Sequence, residues 1–297
     1  MKKRAFIYII SAGILWGTSG IFVKFLAPYG YSSLQLTAVR GMVSFLFFLV
    51  YSAIKDKSAF KVSPKELIFF LCIGLSQFGT AAFYFMSMTA TSISTAVVLM
   101  YTAPIYVTVF SAIFLGEKFS KPKVLALFMM IVGCVLVSGL VGGLKFDALG
   151  IVLGIISGIS YASYNIFTKL TMMRSYSPIS SNLYGSFFMM LTALAVSKPL
   201  GIVQYTAKAP FILIFSLIAL GVVTFVLPYL FFALGMRELP AATASALSTV
   251  EPLSACAFGI IIFGEKPDVF SLSGIVLILL AVFLLGYSEK KSDTVSL

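Results

Sequence analysis

Residues 13–24 read GILWGTSGIFVK, and residues 158–169 read GISYASYNIFTK. Laid over each other at an offset of 145, Gly13 meets Gly158, Trp16 meets Tyr161, and Ile21-Phe22-x-Lys24 meets Ile166-Phe167-x-Lys169. Further out, Ala96–Lys118 lies on Ala244–Lys266 at an offset of 148. That sets Pro104 on Pro252, and Phe114-x-Gly116-Glu117-Lys118 on Ile262-x-Gly264-Glu265-Lys266. Two matches at nearly one offset mark a duplicated unit of about 145 residues, so two units are expected, 1–146 and 147–297.

Composition says where such a unit can live. Of 297 residues, 60% are apolar and only 10% charged, with a mean hydropathy of +1.06. A soluble domain carries about 25% charged residues, because it has to present a polar surface to water. The chain has no histidine. That excludes a Ser-His-Asp triad, a His-ligated zinc, an HExxH protease and an axial-His haem. Cys72, Cys134 and Cys256 are scattered through apolar stretches and read as small hydrophobes, with no metal motif and no disulfide framework. No cofactor is expected.

About 20 apolar residues in helix cross the ~30 Å hydrocarbon core of a bilayer. Ten such runs are read: 5–27, 32–53, 66–88, 92–115, 122–140, 148–172, 178–197, 210–235, 240–263 and 268–287. Pro28-Tyr29-Gly30, Lys55-Asp56-Lys57, Gly142-Gly143, Lys198-Pro199 and Gly264-Glu265-Lys266-Pro267 are among the separators. The runs are continuously apolar, unlike the short alternating strands of a barrel. Lys2-Lys3-Arg4 before the first run resembles a secretory leader. The run is long, however, and shows no small-x-small cleavage site, so it is expected to stay as an anchor.

Counting Lys and Arg in alternate loops gives 15 on the amino-terminal side and 4 on the other, among them Lys145 and Lys208. Both termini are therefore expected in the cytoplasm. The same bias accounts for the net charge of +11, with no nucleic-acid partner needed. Each unit holds five runs, an odd number, so the two should sit in the membrane in opposite orientation. Inverted repeats of that kind are typical of secondary transporters, whose substrate sits near the midplane between the halves.

The five-plus-five layout and the paired apolar-Gly-Glu-Lys endings resemble the EamA branch of the drug/metabolite transporter superfamily. The Trp16-Gly17 pair, Arg40 in the second run and Glu251-Pro252 in the ninth add to the likeness, which covers nearly the whole chain. The resemblance implies a ten-helix, all-α integral membrane carrier of small organic metabolites such as amino acids, amines, nucleosides or sugars. Export is expected ahead of uptake, since many relatives look like exporters.

An ionisable side chain inside a span needs a reason to be there. Glu251 lies near the middle of its run, beside a proline that removes a backbone hydrogen bond and frees a carbonyl. It could bind an ammonium group or carry a coupled proton, or hold helices together as an ion pair. Arg40 stays charged at any working pH and reads either as a lasting partner of Glu251 or as a clamp for a substrate carboxylate. Lys24 is near enough to the end of its run to snorkel. Pro104 repeats Pro252, but Ala103 replaces the glutamate, leaving Tyr101 and Thr102 as polar candidates opposite Glu251. Trp16, Gln77, Tyr84 and Tyr229 add polar or aromatic groups. Tyr161, Tyr164 and Asn165 share one helical face at i, i+3 and i+4, expected to look into a cavity. Aromatic rings beside one carboxylate suit an amine, at ~1–2 kcal/mol per cation–π contact when desolvated.

Gly13 and Gly17, and Gly150, Gly154 and Gly158, read as close-packing faces. The Gly-Glu-Lys pairs read as helix ends, each glutamate favouring the start of the next helix. No Walker loop is present, so no ATP motor is built in. The expectation is a secondary transporter for a small amino acid or amine-type metabolite. An uptake carrier for another metabolite and a non-transporting sensor or scaffold are the alternatives. A membrane enzyme lacks its usual tools here.

Overall fold

Backbone groups in hydrocarbon have no water to bond, so each apolar run closes its own N–H and C=O groups, and a helix does this locally. The computed structural model is built this way and describes residues 2–91, 93–117, 120–137, 147–264 and 268–295. Among the described residues there is no β-strand. Lys118, Gly142-Gly143, Lys145 and Glu265-Lys266-Pro267, singled out above, lie outside them.

The first half comprises α1 (Lys2–Gly17), α2 (Ser19–Leu26), α3 (Ser33–Ile54), α4 (Leu67–Ala90), α5 (Ile93–Met100), α6 (Ala103–Leu115) and α7 (Lys121–Val137). The second comprises α8 (Ala148–Met173), α9 (Pro178–Val196), α10 (Leu200–Thr206), α11 (Pro210–Gly221), α12 (Leu227–Met236), α13 (Ala241–Ser248), α14 (Val250–Phe263) and α15 (Val269–Val295). Eight stretches built from these are long and apolar enough to cross a membrane: Lys3–Tyr29, Ser33–Ile54, Pro64–Ala90, Thr95–Leu115, Ala148–Met173, Pro178–Val196, Pro210–Met236 and Ala241–Phe263. The two remaining expected runs are occupied by α7 and α15, which pack on each other. Gly133 allows it: a Cβ there would stand 2.9 Å from the Gly274 carbonyl.

Four of the spanning stretches are interrupted, each for a local reason. At Thr18, α1 gives way to α2, and the threonine hydroxyl donates to the Leu15 carbonyl (2.7 Å). Between α5 and α6 the chain breaks at Tyr101-Thr102, and between α13 and α14 at Thr249. Pro104 and Pro252 follow these breaks and have no N–H for the carbonyl four residues back. Thr102 and Thr249 each turn a hydroxyl onto the preceding turn, 2.6 Å from the Leu99 and Ala246 carbonyls. Between α11 and α12, Val222–Val226 is a π-helical turn just ahead of Pro228.

Helix starts follow capping chemistry. Ser32 and Gln35 form a reciprocal box at α3, Asp147 accepts from the Gly150 N–H, and Ser177 accepts from the Ser180 N–H. The short α10 has no counterpart among the ten runs. It has too few residues to span and lies across the helix ends, where Tyr205 packs edge-on against Tyr31 (5.6 Å) and meets Gly30.

The main packing partners cross from one half to the other: α4 on α8 and α9, α3 on α9, and α1 on α12 and α14. Small residues permit these approaches. A Cβ on Gly13 would lie 3.0 Å from the Ser248 carbonyl, and one on Gly154 would lie 2.8 Å from Leu99 Cβ. Loop contacts define the two faces of the bundle. On the amino-terminal face, Arg174 at the end of α8 pairs with Glu66 at the start of α4 (3.3 Å). On the far face, Gln35 donates to the Lys198 carbonyl (3.3 Å) and Lys208 to that of Tyr29 (3.4 Å).

Candidate functional site

A cavity of about 750 Å³ lies between the halves. From the first half come Trp16, Ser19, Gly20 and Val23 on α1–α2, Arg40 on α3, Gln77, Thr80, Tyr84 and Met88 on α4, and Met100-Tyr101 at the α5–α6 break. From the second come Tyr161 on α8, Met189 on α9, Phe225 on the π turn, Tyr229 on α12, and Glu251, Pro252, Cys256 and Ile260 on α14. On α1–α2, α4, α5 and α14 these residues lie from mid-helix to the far end, and Asp268 marks the mouth. The cavity therefore reaches the far face. Toward the amino-terminal face it stops on a floor of rings.

That floor is aromatic and closely stacked. Trp16 meets Tyr229 edge-on (5.2 Å between centroids) and Tyr161 the same way (6.4 Å), while Phe225 stacks on Tyr229 at 4.1 Å. Tyr161 exchanges a hydrogen bond with the Ser248 hydroxyl (2.9 Å), tying the floor to the last turn of α13. Beneath it Tyr164 packs on Tyr229 (5.2 Å) and Phe232 (5.7 Å).

The charged groups face each other across this space. Arg40 Nη2 donates to Thr37 Oγ1 (3.2 Å), and its Nε is buried without a hydrogen-bond partner. Arg40 and Glu251 are within electrostatic reach of one another, and Tyr229 is within reach of both. Among the described residues no ion pair within 4 Å joins the arginine to the glutamate. Trp16 Nε1 and Gln77 Oε1 are likewise buried without partners. Trp16, Arg40 and Gln77 thus line the cavity while each keeps one polar atom buried behind its wall.

Of the residues expected from sequence, the structure brings Trp16, Arg40, Gln77, Tyr84, Tyr101, Tyr161, Tyr229, Glu251 and Pro252 to this one cavity. Tyr164 and Asn165 are placed in the core below it. Asn165 is 0% exposed and donates to the Tyr161 carbonyl (2.8 Å). Pro104 sits buried at the start of α6, and Lys24 lies toward the far face with Nζ 3.9 Å from the Phe263 ring centre. Thr80, Met88 and Phe225 line the cavity without having been expected. Thr80 is recoverable from sequence as a hydroxyl one turn from Tyr84, whereas Pro228 signals a fault near Phe225 but not the π form that aims its ring.

The chain has clear relatives. A model of the EamA-like transporter family matches residues 3–139 and again residues 148–287. An uncharacterized transporter of Archaeoglobus fulgidus is 29% identical over 283 residues, covering 93% of this chain and 94% of its own. The uncharacterized transporter YwfM of Bacillus subtilis is 23% identical over 292 residues, covering 97% and 95%. A solved crystal structure superposes with a TM-score of 0.79 at 17% identity, over 99% of this chain and 100% of the other, a likeness of fold alone. With the model matched twice, and the relatives matched end to end, this chain belongs to the EamA-like transporter family.

Proposed function

We propose that this protein is a secondary carrier that moves a small amino acid or amine-bearing metabolite across the cytoplasmic membrane by alternating access. The observation that carries the reading is the cavity itself. Both halves build it, it holds Glu251 and Arg40, which are not ion-paired to each other, deep inside the mouth that Asp268 marks, and its walls are aromatic. Glu251 takes the ammonium group, with Tyr84, Tyr101 and Tyr229 around it. Arg40 takes the carboxylate of an amino acid, its planar fork matching two oxygens at once. A zwitterion satisfies both charges and displaces no permanent ion pair, whereas an anion would leave Glu251 unmatched and costly in a dry site. Glu251 is also the group that would carry a coupled proton. Export is the direction assigned, following the habit of the family, with both termini in the cytoplasm.

Counterflow in proteoliposomes tests this, with pooled amino acids, amines, nucleosides and sugars offered to wild type and to Glu251→Gln. Saturable exchange of an amino acid or amine is expected, reduced at least about tenfold in the variant, which corresponds to roughly 1.4 kcal/mol of lost interaction. Full exchange by Glu251→Gln would remove the glutamate from the mechanism. No exchange of any class by well-folded protein would favour a scaffold.

A further inference from the structure

The amino-terminal face beneath the cavity floor carries two contacts that the substrate site does not use. At the end of α6, Gly116 adopts a left-handed conformation (φ 66°) and closes the helix. Glu117 then turns across to the other half. Its Oε1 accepts from the Ala241 N–H (2.6 Å) and its Oε2 from the Ala242 N–H (3.2 Å), the first two residues of α13. From α8, Lys169 Nζ donates to the carbonyls of Met236 (2.8 Å), the last residue of α12, and Leu239 (2.7 Å). One turn of chain, Arg237–Pro240, is thus held by an anion where a helix begins and by a cation where a helix ends. Both match the partial charges that helix ends carry.

The two groups differ in what they join. Lys169 and the turn belong to the same half, so its contact holds α12 and α13 against α8. Glu117 comes from the first half and the N–H groups it binds come from the second, so these bonds tie the two halves together on the amino-terminal face. The lysine ammonium is also within electrostatic reach of the Glu117 carboxylate. A second charged contact between halves on this face, Arg174 with Glu66, involves side chains 38% and 30% exposed and contributes little in water.

We propose that Glu117, clamped on the start of α13 and supported by Lys169, is the latch that keeps the carrier closed on its amino-terminal face while the cavity is open on the far face. Release of Glu117 from the Ala241 and Ala242 N–H groups is the event that admits access from the other side. The proposal rests on the alternating-access reading but needs no knowledge of the cargo, so it is tested without it.

Two single-cysteine reporters in a background free of Cys72, Cys134 and Cys256 read the two faces. Gly20→Cys lies in the cavity with open space around it, and Ser245→Cys sits at a 0% exposed position in α13. In the latched protein a membrane-impermeant maleimide should reach Gly20→Cys from the far face and Ser245→Cys from neither. With Glu117→Ala plus Lys169→Met, labelling of Gly20→Cys should slow about tenfold, and Ser245→Cys should become reactive from the amino-terminal face by a similar factor, the shift that losing two helix-end contacts would give. Lys169→Arg, which keeps a donor for the same carbonyls, should label as wild type. Unchanged labelling of both reporters in the double variant would overturn the latch. So would loss of Gly20→Cys labelling without any gain at Ser245→Cys, since one side would then close without the other opening, and labelling of Ser245→Cys from both faces, since general unfolding and not release would then be the effect. Absence of counterflow alongside the expected labelling shift would leave the latch standing and strike the transport reading instead.

Discussion

Gly17 decides how near α1 can come to α14 and hence where the Glu251 backbone lies. A Cβ at this position would stand 2.8 Å from the Ala255 nitrogen and 2.9 Å from the Glu251 carbonyl. Gly17→Ala should therefore lower the melting temperature in detergent, with a loss of about 1–3 kcal/mol typical of overpacking, while Gly20→Ala, with nothing within 4 Å, should melt as wild type. An equal effect of the two, measured by thermal unfolding, would separate Gly17 from the helix contact. Charged residues were the most legible at this scale, because an arginine or glutamate in an apolar run has so few places to go: both Arg40 and Glu251 face the cavity. Aromatic residues were less so. Spacing of i, i+3 and i+4 does put Tyr161, Tyr164 and Asn165 on one face, but that face is wide, and only Tyr161 reaches the cavity while the others turn into the core.

Among the elements, the paired breaks before Pro104 and Pro252 carry the most consequence. The Ser248 carbonyl loses its ordinary helical donor at Pro252, α13 stops there, and Glu251 falls in the first turn of a new helix at the cavity wall. Pro252→Ala should restore the N–H, join α13 to α14 and swing Glu251 away. Counterflow should then fall at least about fivefold while thermal stability holds or rises, as expected when a proline is removed from a helix interior. Retained exchange would show that the break is dispensable. Prolines announce such breaks in the sequence. Pro228, which has no N–H for the Thr224 carbonyl, marks a fault beside Val222–Val226 as well, but nothing in Val-Val-Thr-Phe-Val says that it takes a π form. Glu117 is a different case. Its sequence places it ahead of α7, and the reading that it favours the next helix start holds only in kind: the start it serves is that of α13, because helix-end charges choose partners by packing and not by chain order. The seven-residue α10 escaped for want of length, since a span-sized window averages it away.

For the molecule as a whole, hydropathy and repeats made the layout readable, and eight of the spans coincide with apolar runs picked out by those rules. What those rules do not supply is how the halves interleave, with α4 on α8 and α1 on α14, because periodicity fixes which residues are apolar and says nothing of which helix they meet. Orientation is testable on described residues. With the basic loops on the cytoplasmic side, an impermeant thiol label on intact cells should reach Lys208→Cys from outside and leave Lys65→Cys untouched. The reverse pattern would invert the molecule. The interruption at Thr18 bears on how such a carrier would run. Its counterpart α8 is unbroken from Ala148 to Met173, so the two repeats differ at the very helix that floors the cavity. Two end states related by exchanging unlike repeats have unequal energies. The empty carrier would then spend most of its time facing one compartment, half-saturate at different cargo concentrations from its two sides, and pass net flux more readily one way than the other, a rectifier made from a single extra bend.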